Sequence, residues 1–168
     1  MNNRQDPACA LLTLDEAVAY RQQLKQEGKI LTVTNGCFDL IHRGHASYLH
    51  EAAALGDELL VLINSDASVR ELKGNLRPLI SEKDRAYMLG ALASVDKVVI
   101  FNSQRCDREL DAIAPDIYTK AGDYTLEKLD PVERAVLEKH HTKIVFMPFV
   151  QGFSTTGIVE KIKLANQE

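Results

Sequence analysis

Apolar positions along this chain fall into two alternating kinds of segment: short unbroken runs, and longer stretches in which they recur on one face of a helix. The spacing predicts a helix over residues 14–28, with Thr13 as N-cap, Glu16 at the capping-box position and Gly28 as its stop. A β-branched run over residues 30–34 reads as a buried strand, followed by a glycine-containing loop and a helix over residues 45–55 that stops at Gly56. The same alternation gives strands at 58–63, 97–101, 116–119 and 143–147. It gives helices at 67–72, 81–93, 107–113 and 130–140, the last with Pro131 at its first position. A final helix runs from a cap at Ser154, Thr155 and Thr156 to residue 163.

Strands that are apolar throughout and alternate with helices are the pattern of an α/β fold. The expected form is a Rossmann-like, doubly wound parallel sheet, five-stranded, with helices on both faces. Residues 1–12 read as a flexible lead-in and residues 13–168 as one domain without a linker or repeat. In such a sheet, ligands bind beyond the carboxyl ends of the strands where strand order reverses. The loops expected there follow the first, second, fourth and fifth strands: residues 35–45, 64–66, 120–124 and 151–156.

Composition narrows the function classes. A net charge of −4 argues against coating nucleic acid or an anionic membrane, while leaving room for basic residues to converge on a phosphate. No run reaches the roughly 18 apolar residues of a membrane span, and residues 1–10 lack a signal core, which points to the cytoplasm. Three widely spaced cysteines, Cys9, Cys37 and Cys106, suit free thiols rather than a disulfide framework or zinc cage.

The candidate chemistry lies in Asn35-Gly36-Cys37-Phe38-Asp39-Leu40-Ile41-His42-Arg43-Gly44-His45. His42 and His45, three apart at the start of a helix, can face one way, and Gly44 allows close approach to the backbone. With the free N–H groups of a helix N-terminus they suit an anion whose charge grows during reaction, such as a phosphoryl group. By themselves two histidines at this spacing serve equally as surface or capping residues; a metal site has no further His or Cys nearby to complete it.

The stretch 34–45 resembles the signature of the cytidylyltransferase-like nucleotidyltransferases, which carry paired histidines in an H-x-G-H motif. Further matches follow in order: Asn64-Ser65-Asp66; the basic loop Lys73-Gly74-Asn75-Leu76-Arg77-Pro78; Asp84-Arg85 with Gly90-Ala91-Leu92 and Val95-Asp96; Lys120-Ala121-Gly122-Asp123-Tyr124; and Gly152-Phe153-Ser154-Thr155-Thr156. Within the superfamily the chain is most similar to the adenylyltransferases of ADP-heptose synthesis, which occur alone or fused to a sugar kinase; this chain would be the stand-alone form.

The resemblance implies roles. His42, His45 and Lys73 would be catalytic. Asn35, Gly36, Cys37, Phe38, Gly44, Arg77, Lys120, Gly122, Asp123, Ser154 and Thr155 would bind the nucleotide, with Arg77 the weaker triphosphate ligand. Asp39 reads better as a loop anchor than as a base, and Arg85 either joins helices or touches ligand. The partners implied are a nucleoside triphosphate, with Mg²⁺ as cofactor, and a phosphorylated small-molecule acceptor. The reaction would move AMP from ATP to D-glycero-D-manno-heptose 1-phosphate. Relatives commonly pair, so a homodimer is allowed. One departure stands out: Ala121 occupies a position where the family often has Gly, which bears on the choice between ATP and CTP. A cytidylyltransferase for an alcohol phosphate or phosphonate, and a non-catalytic nucleotide-binding module, are the alternatives.

Overall fold

The structure, a computed structural model, describes residues 6–122, 124–148 and 152–165. Its strands are β1 (Leu11–Leu12), β2 (Leu31–Gly36), β3 (Glu58–Asn64), β4 (Lys97–Phe101), β5 (Ile117–Ala121) and β6 (Lys143–Met147). Its α-helices are α1 (Leu14–Gln26), α2 (Arg43–Ala53), α3 (Asp66–Lys73), α4 (Glu82–Gly90), α5 (Asp107–Ile113), α6 (Pro131–Lys139) and α7 (Thr155–Ala165). The strands form one parallel sheet in the order β1-β4-β3-β2-β5-β6.

The α/β expectation holds, with a sixth strand in place of the expected five. Leu11 and Leu12 pair with Val98 and Val99 at the sheet edge, too short a run to stand out by periodicity. A 3-10 turn, Pro7–Ala10, capped by the Asp6 carboxylate, leads into it. This segment rests on α4 at Gly90, where a Cβ would come within 2.6 Å of the Pro7 carbonyl oxygen. The close approach requires glycine, and α4 ends there rather than at the expected residue 93.

Side chains of β3 divide the core. Leu60 and Leu62 face α1, α5 and α6 through Leu24, Leu110 and Leu137; Leu59, Val61 and Ile63 face α2 and α4 through Leu49, Ala52 and Leu89. Alternation within an unbroken apolar strand thus covers both faces. The capping box at Thr13 and Glu16 forms as the sequence predicts, and α1 stops before Gly28. The helix α2 starts two residues earlier than predicted, because the His42 side chain is its N-cap.

Strands β2, β3 and β4 are laid down in one direction, after which the chain crosses to place β5 and β6 on the other side of β2. Strand order reverses between β2 and β5, so a crevice opens beyond their carboxyl ends. The buried Arg85 fixes one wall of it. Its guanidinium donates to the carbonyls of Ile80 (3.1 Å), Cys37 (2.5 Å) and Asn64 (2.8 Å) and pairs with Asp66 at 2.9 Å. All three guanidinium nitrogens are used within the protein, which identifies Arg85 as the tie between the ends of β2, β3 and α4.

Arg85→Met should cost about 3 kcal/mol of unfolding free energy, because it leaves acceptors without donors in a dry interior. Arg85→Lys should recover only part, since a single ammonium cannot match the guanidinium fork. Urea denaturation measures both; a loss under about 1 kcal/mol would mean that water replaces the guanidinium.

Candidate active site

Beyond Gly36 the chain turns through Phe38, whose φ of 47° lies in the left-handed region. The ring folds back over Gly36, where a Cβ would stand 2.9 Å from Phe38 Cε2. The turn delivers Asp39 inward, where its carboxylate accepts from the amides of Leu79 (2.7 Å) and Ile80 (3.1 Å) and from Arg77. Asp39 is therefore a loop anchor, as its sequence context suggests. Arg77 is turned onto that carboxylate and lines neither of the cavities described below. At the end of α3, just before this loop, Lys73 enters no ion pair among the described residues and lines both cavities.

His42 caps α2 by accepting the His45 amide at Nδ1, 3.3 Å away. An accepting Nδ1 carries no proton, so the neutral ring carries its proton at Nε2. The His42 and His45 rings stack at 3.9 Å and 14°, and Phe38 packs at 5.2 Å against His45. Gly44 makes room for this arrangement: a Cβ there would lie 3.1 Å from both the His42 ring and Phe153 Cβ. Burial holds both imidazoles below the usual histidine range. His45 falls to about 4, with His42 and Lys73 adding smaller repulsions and the Leu40 carbonyl opposing them. The pair is therefore neutral near pH 7 and offers N–H groups rather than fixed positive charge.

Two cavities meet at His45. The larger, about 600 Å³, is lined by the predicted residues Asn35, Gly36, Cys37, Phe38 and Lys120. The smaller, about 430 Å³, is lined by His42, Gly44, Ser154 and Thr155. His45, Tyr48, Lys73, Ala121 and Thr155 belong to both. Lys120 lies over the rings of Tyr124 (5.2 Å) and Tyr118 (6.0 Å), and the Tyr118 hydroxyl donates to Asn35 at 2.7 Å. Ser154 Oγ accepts from the Gly157 amide at 3.0 Å, capping α7. Gly122 lines neither cavity, its amide donating to Met147, and Asp123 lies outside the described residues.

Sequence reasoning missed part of the larger cavity. Gln104 and Arg105 come from the loop after β4, and Asp130 and Glu133 from the start of α6. The expected loops did not include the one after β4, although Asn64 ties it in, donating to the Ser103 carbonyl at 3.4 Å and to Ser68 at 2.9 Å. The acidic first turn of α6 was visible as a helix cap, and nothing in its spacing distinguished a cap from a pocket wall. Among the described residues no three His, Cys, Asp or Glu side chains converge as a metal cage.

The sequence profile named "Cytidylyltransferase-like" matches residues 33–161. The chain belongs to this family. It is a nucleotidyltransferase, and the matched span covers the β2 turn, the paired histidines and the first part of α7 together. The "Bifunctional protein HldE" of Geotalea uraniireducens is 46% identical over 158 residues, covering 94% of this chain and 32% of that protein. The protein of the same name from Koribacter versatilis is 44% identical over 151 residues, 90% of this chain and 31% of the other. The chain thus spans about a third of the length of these relatives. A solved lipopolysaccharide core biosynthesis protein from Thermoplasma volcanium superimposes with a TM-score of 0.60 at 28% identity, covering 73% of this chain and 98% of its own. No helix among the described residues is long and apolar enough to cross a membrane.

The neutral histidines give the stability a pH dependence. With a folded pKa near 4 against 6.5, His45 takes up its proton first in the unfolded chain, so acid favours unfolding. This contribution is whole above the unfolded value and is lost as pH falls through the interval toward 4. Between pH 7 and pH 5 the wild-type urea midpoint should therefore fall further than that of His45→Asn. Equal falls would show that water reaches the ring.

Proposed function

We propose that this chain transfers AMP from ATP to D-glycero-D-manno-heptose 1-phosphate, giving ADP-heptose and pyrophosphate. The observation that carries the reading is the wall shared by the two cavities: His45 and Lys73 border both, as a transfer between two bound substrates requires. The kind of acceptor is suggested by the HldE relatives and by the lipopolysaccharide core biosynthesis protein.

The smaller cavity suits the nucleotide. The N-termini of α2 and α7 border it, and helix N-termini stabilise phosphate anions. The larger cavity suits the acceptor, whose phosphate oxygen attacks the α-phosphorus while pyrophosphate departs on the opposite side. An acceptor phosphate is already ionised, so the side chains contribute position and electrostatics. His42 and His45 donate N–H bonds to oxygens whose charge grows, and Lys73 offsets the charge of the triphosphate. Mg²⁺ fits a site without a protein metal cage, since it is commonly held by substrate phosphates; when bound it neutralises triphosphate charge.

Ala121 bears on the base. It belongs to β5 and needs no positive φ, so the methyl can act only through the space it occupies on the shared wall. ATP should exceed CTP in kcat/KM by at least about tenfold, or about 1.4 kcal/mol of differential transition-state binding. Ala121→Gly should raise that ratio if the methyl crowds the purine.

A pyrophosphate-release assay across four triphosphates and a panel of sugar and alcohol phosphates tests the assignment. Preference for CTP, or for an alcohol phosphate over heptose 1-phosphate, would overturn it. His42→Ala and His45→Ala should each lower kcat by roughly 10²-fold with much smaller effects on ATP binding. Lys73→Ala should raise the KM for ATP and lower kcat together. Near-normal kcat in a folded histidine variant would remove that residue from the mechanism.

A further inference from the structure

The part of the larger cavity not shared with the smaller includes Gln104, Arg105, Asp130 and Glu133, with Lys120 and Lys128 also in its lining. Glu133, in the first turn of α6, is 5% exposed. Its Oε1 accepts from both the Cys106 amide (3.1 Å) and the Cys106 thiol (3.3 Å). Burial, with Glu133 beside it, pushes the Cys106 thiol well above its ordinary range, so it stays protonated and donates. These two bonds fix the carboxylate plane. Oε2 has no donor among the described residues and is not sealed from solvent, and Glu133 lines the cavity.

A carboxylate pinned by one oxygen and open at the other is a hydrogen-bond acceptor without a donor. Asp130 stands beside it, its Oδ1 capping α6 and its Oδ2 4.0 Å from Arg105. Two carboxylates repel a phosphate, which has His45 and Lys73 at the shared wall instead. A hydroxyl group suits Oε2, because a hydrogen bond from O–H to a carboxylate is short and strong.

We propose that Glu133 determines acceptor specificity, its Oε2 accepting a hydrogen bond from a hydroxyl of a polyhydroxylated acceptor phosphate. The assignment rests on the larger cavity being the acceptor's, as argued above. It separates sugar phosphates from simple alkyl phosphates, because a substrate without the hydroxyl leaves a buried carboxylate oxygen dehydrated and unpaired.

Glu133→Gln keeps an acceptor for Cys106 and replaces the open oxygen by an NH₂ donor. It should raise the KM for heptose 1-phosphate at least about tenfold and leave the KM for ATP within about twofold. The inhibition constant of ethyl phosphate, a competitor without hydroxyls, should stay the same. Singly deoxygenated heptose 1-phosphates complete the test. One of them should lose activity with the wild type and show little further loss with the variant, since each change removes the same bond. Glu133→Asp serves for the same cycle if the Gln variant does not fold. Equal losses for ATP and acceptor with a lowered melting temperature would make Glu133 only a clamp between α5 and α6. A raised KM for ATP alone would make it a nucleotide contact, and additive losses for every deoxygenated acceptor would equally overturn the proposal. If the wild type does not use heptose 1-phosphate, the functional assignment fails separately, and the cycle is run on whichever acceptor phosphate the panel identifies.

Discussion

Arg85, buried, directs all three guanidinium nitrogens to acceptors inside the protein and so gathers the backbone of three segments. Its acceptors are the carbonyl after β2, the last residue of β3, Ile80 just ahead of the Ser81 cap of α4, and the Asp66 side chain. The turn through Phe38 is thereby held in a backbone region that its side chain does not favour. Asp39 then repeats the device on a smaller scale, taking two amides and Arg77 from the loop before α4. These two charged side chains hold the β2 turn and the basic loop in register, and the position of Lys73 relative to His45 follows from them.

The electrostatics of the site suit its cargo. A triphosphate brings several negative charges, and a site of fixed cations would hold it in the ground state as tightly as in the transition state. Here Lys73 at the shared wall is accompanied by two neutral imidazoles, kept so by burial and, for His45, also by the neighbouring His42. In the proposed reaction the His42 N–H is set in advance by the helix cap, so little reorganisation of that ring is needed as charge develops. The same arrangement makes the acid side of neutrality costly: a proton on His45 puts charge where burial disfavours it.

The sheet, its parallel sense and the core were legible because apolar runs and helical spacing report burial directly. Thr13 with Glu16, Ser81 with Asp84, and Asp130 with Pro131 marked helix starts correctly for the same local reason. The edge strand was not legible, since Leu11 and Leu12 are too few to make a pattern and their register depends on Gly90, far along the chain. The motif singled out the histidine pair and Lys73, and local cap chemistry marked the start of the last helix. A basic residue in such a loop gives no sign in the sequence that Asp39, 38 positions earlier, pairs with Arg77. Glu133 was passed over because its meaning lies in a cavity formed by β5, α6 and the loop after β4, which no local spacing encodes.

The same division of labour explains where selectivity must reside. If the shared wall of His45, Tyr48, Lys73, Ala121 and Thr155 receives the phosphates, as proposed, it distinguishes neither one acceptor from another nor, apart from Ala121, one base from another. On that reading discrimination belongs to the unshared ends: Gly152, Phe153, Ser154 and Thr156 on one side and the start of α6 on the other. Polar discrimination there is effective because a buried group left unpaired costs more than an apolar misfit. A family that keeps its histidines and basic loop can then change acceptors by altering the far ends, without disturbing the Arg85 and Asp39 clamps that hold the reacting groups in place.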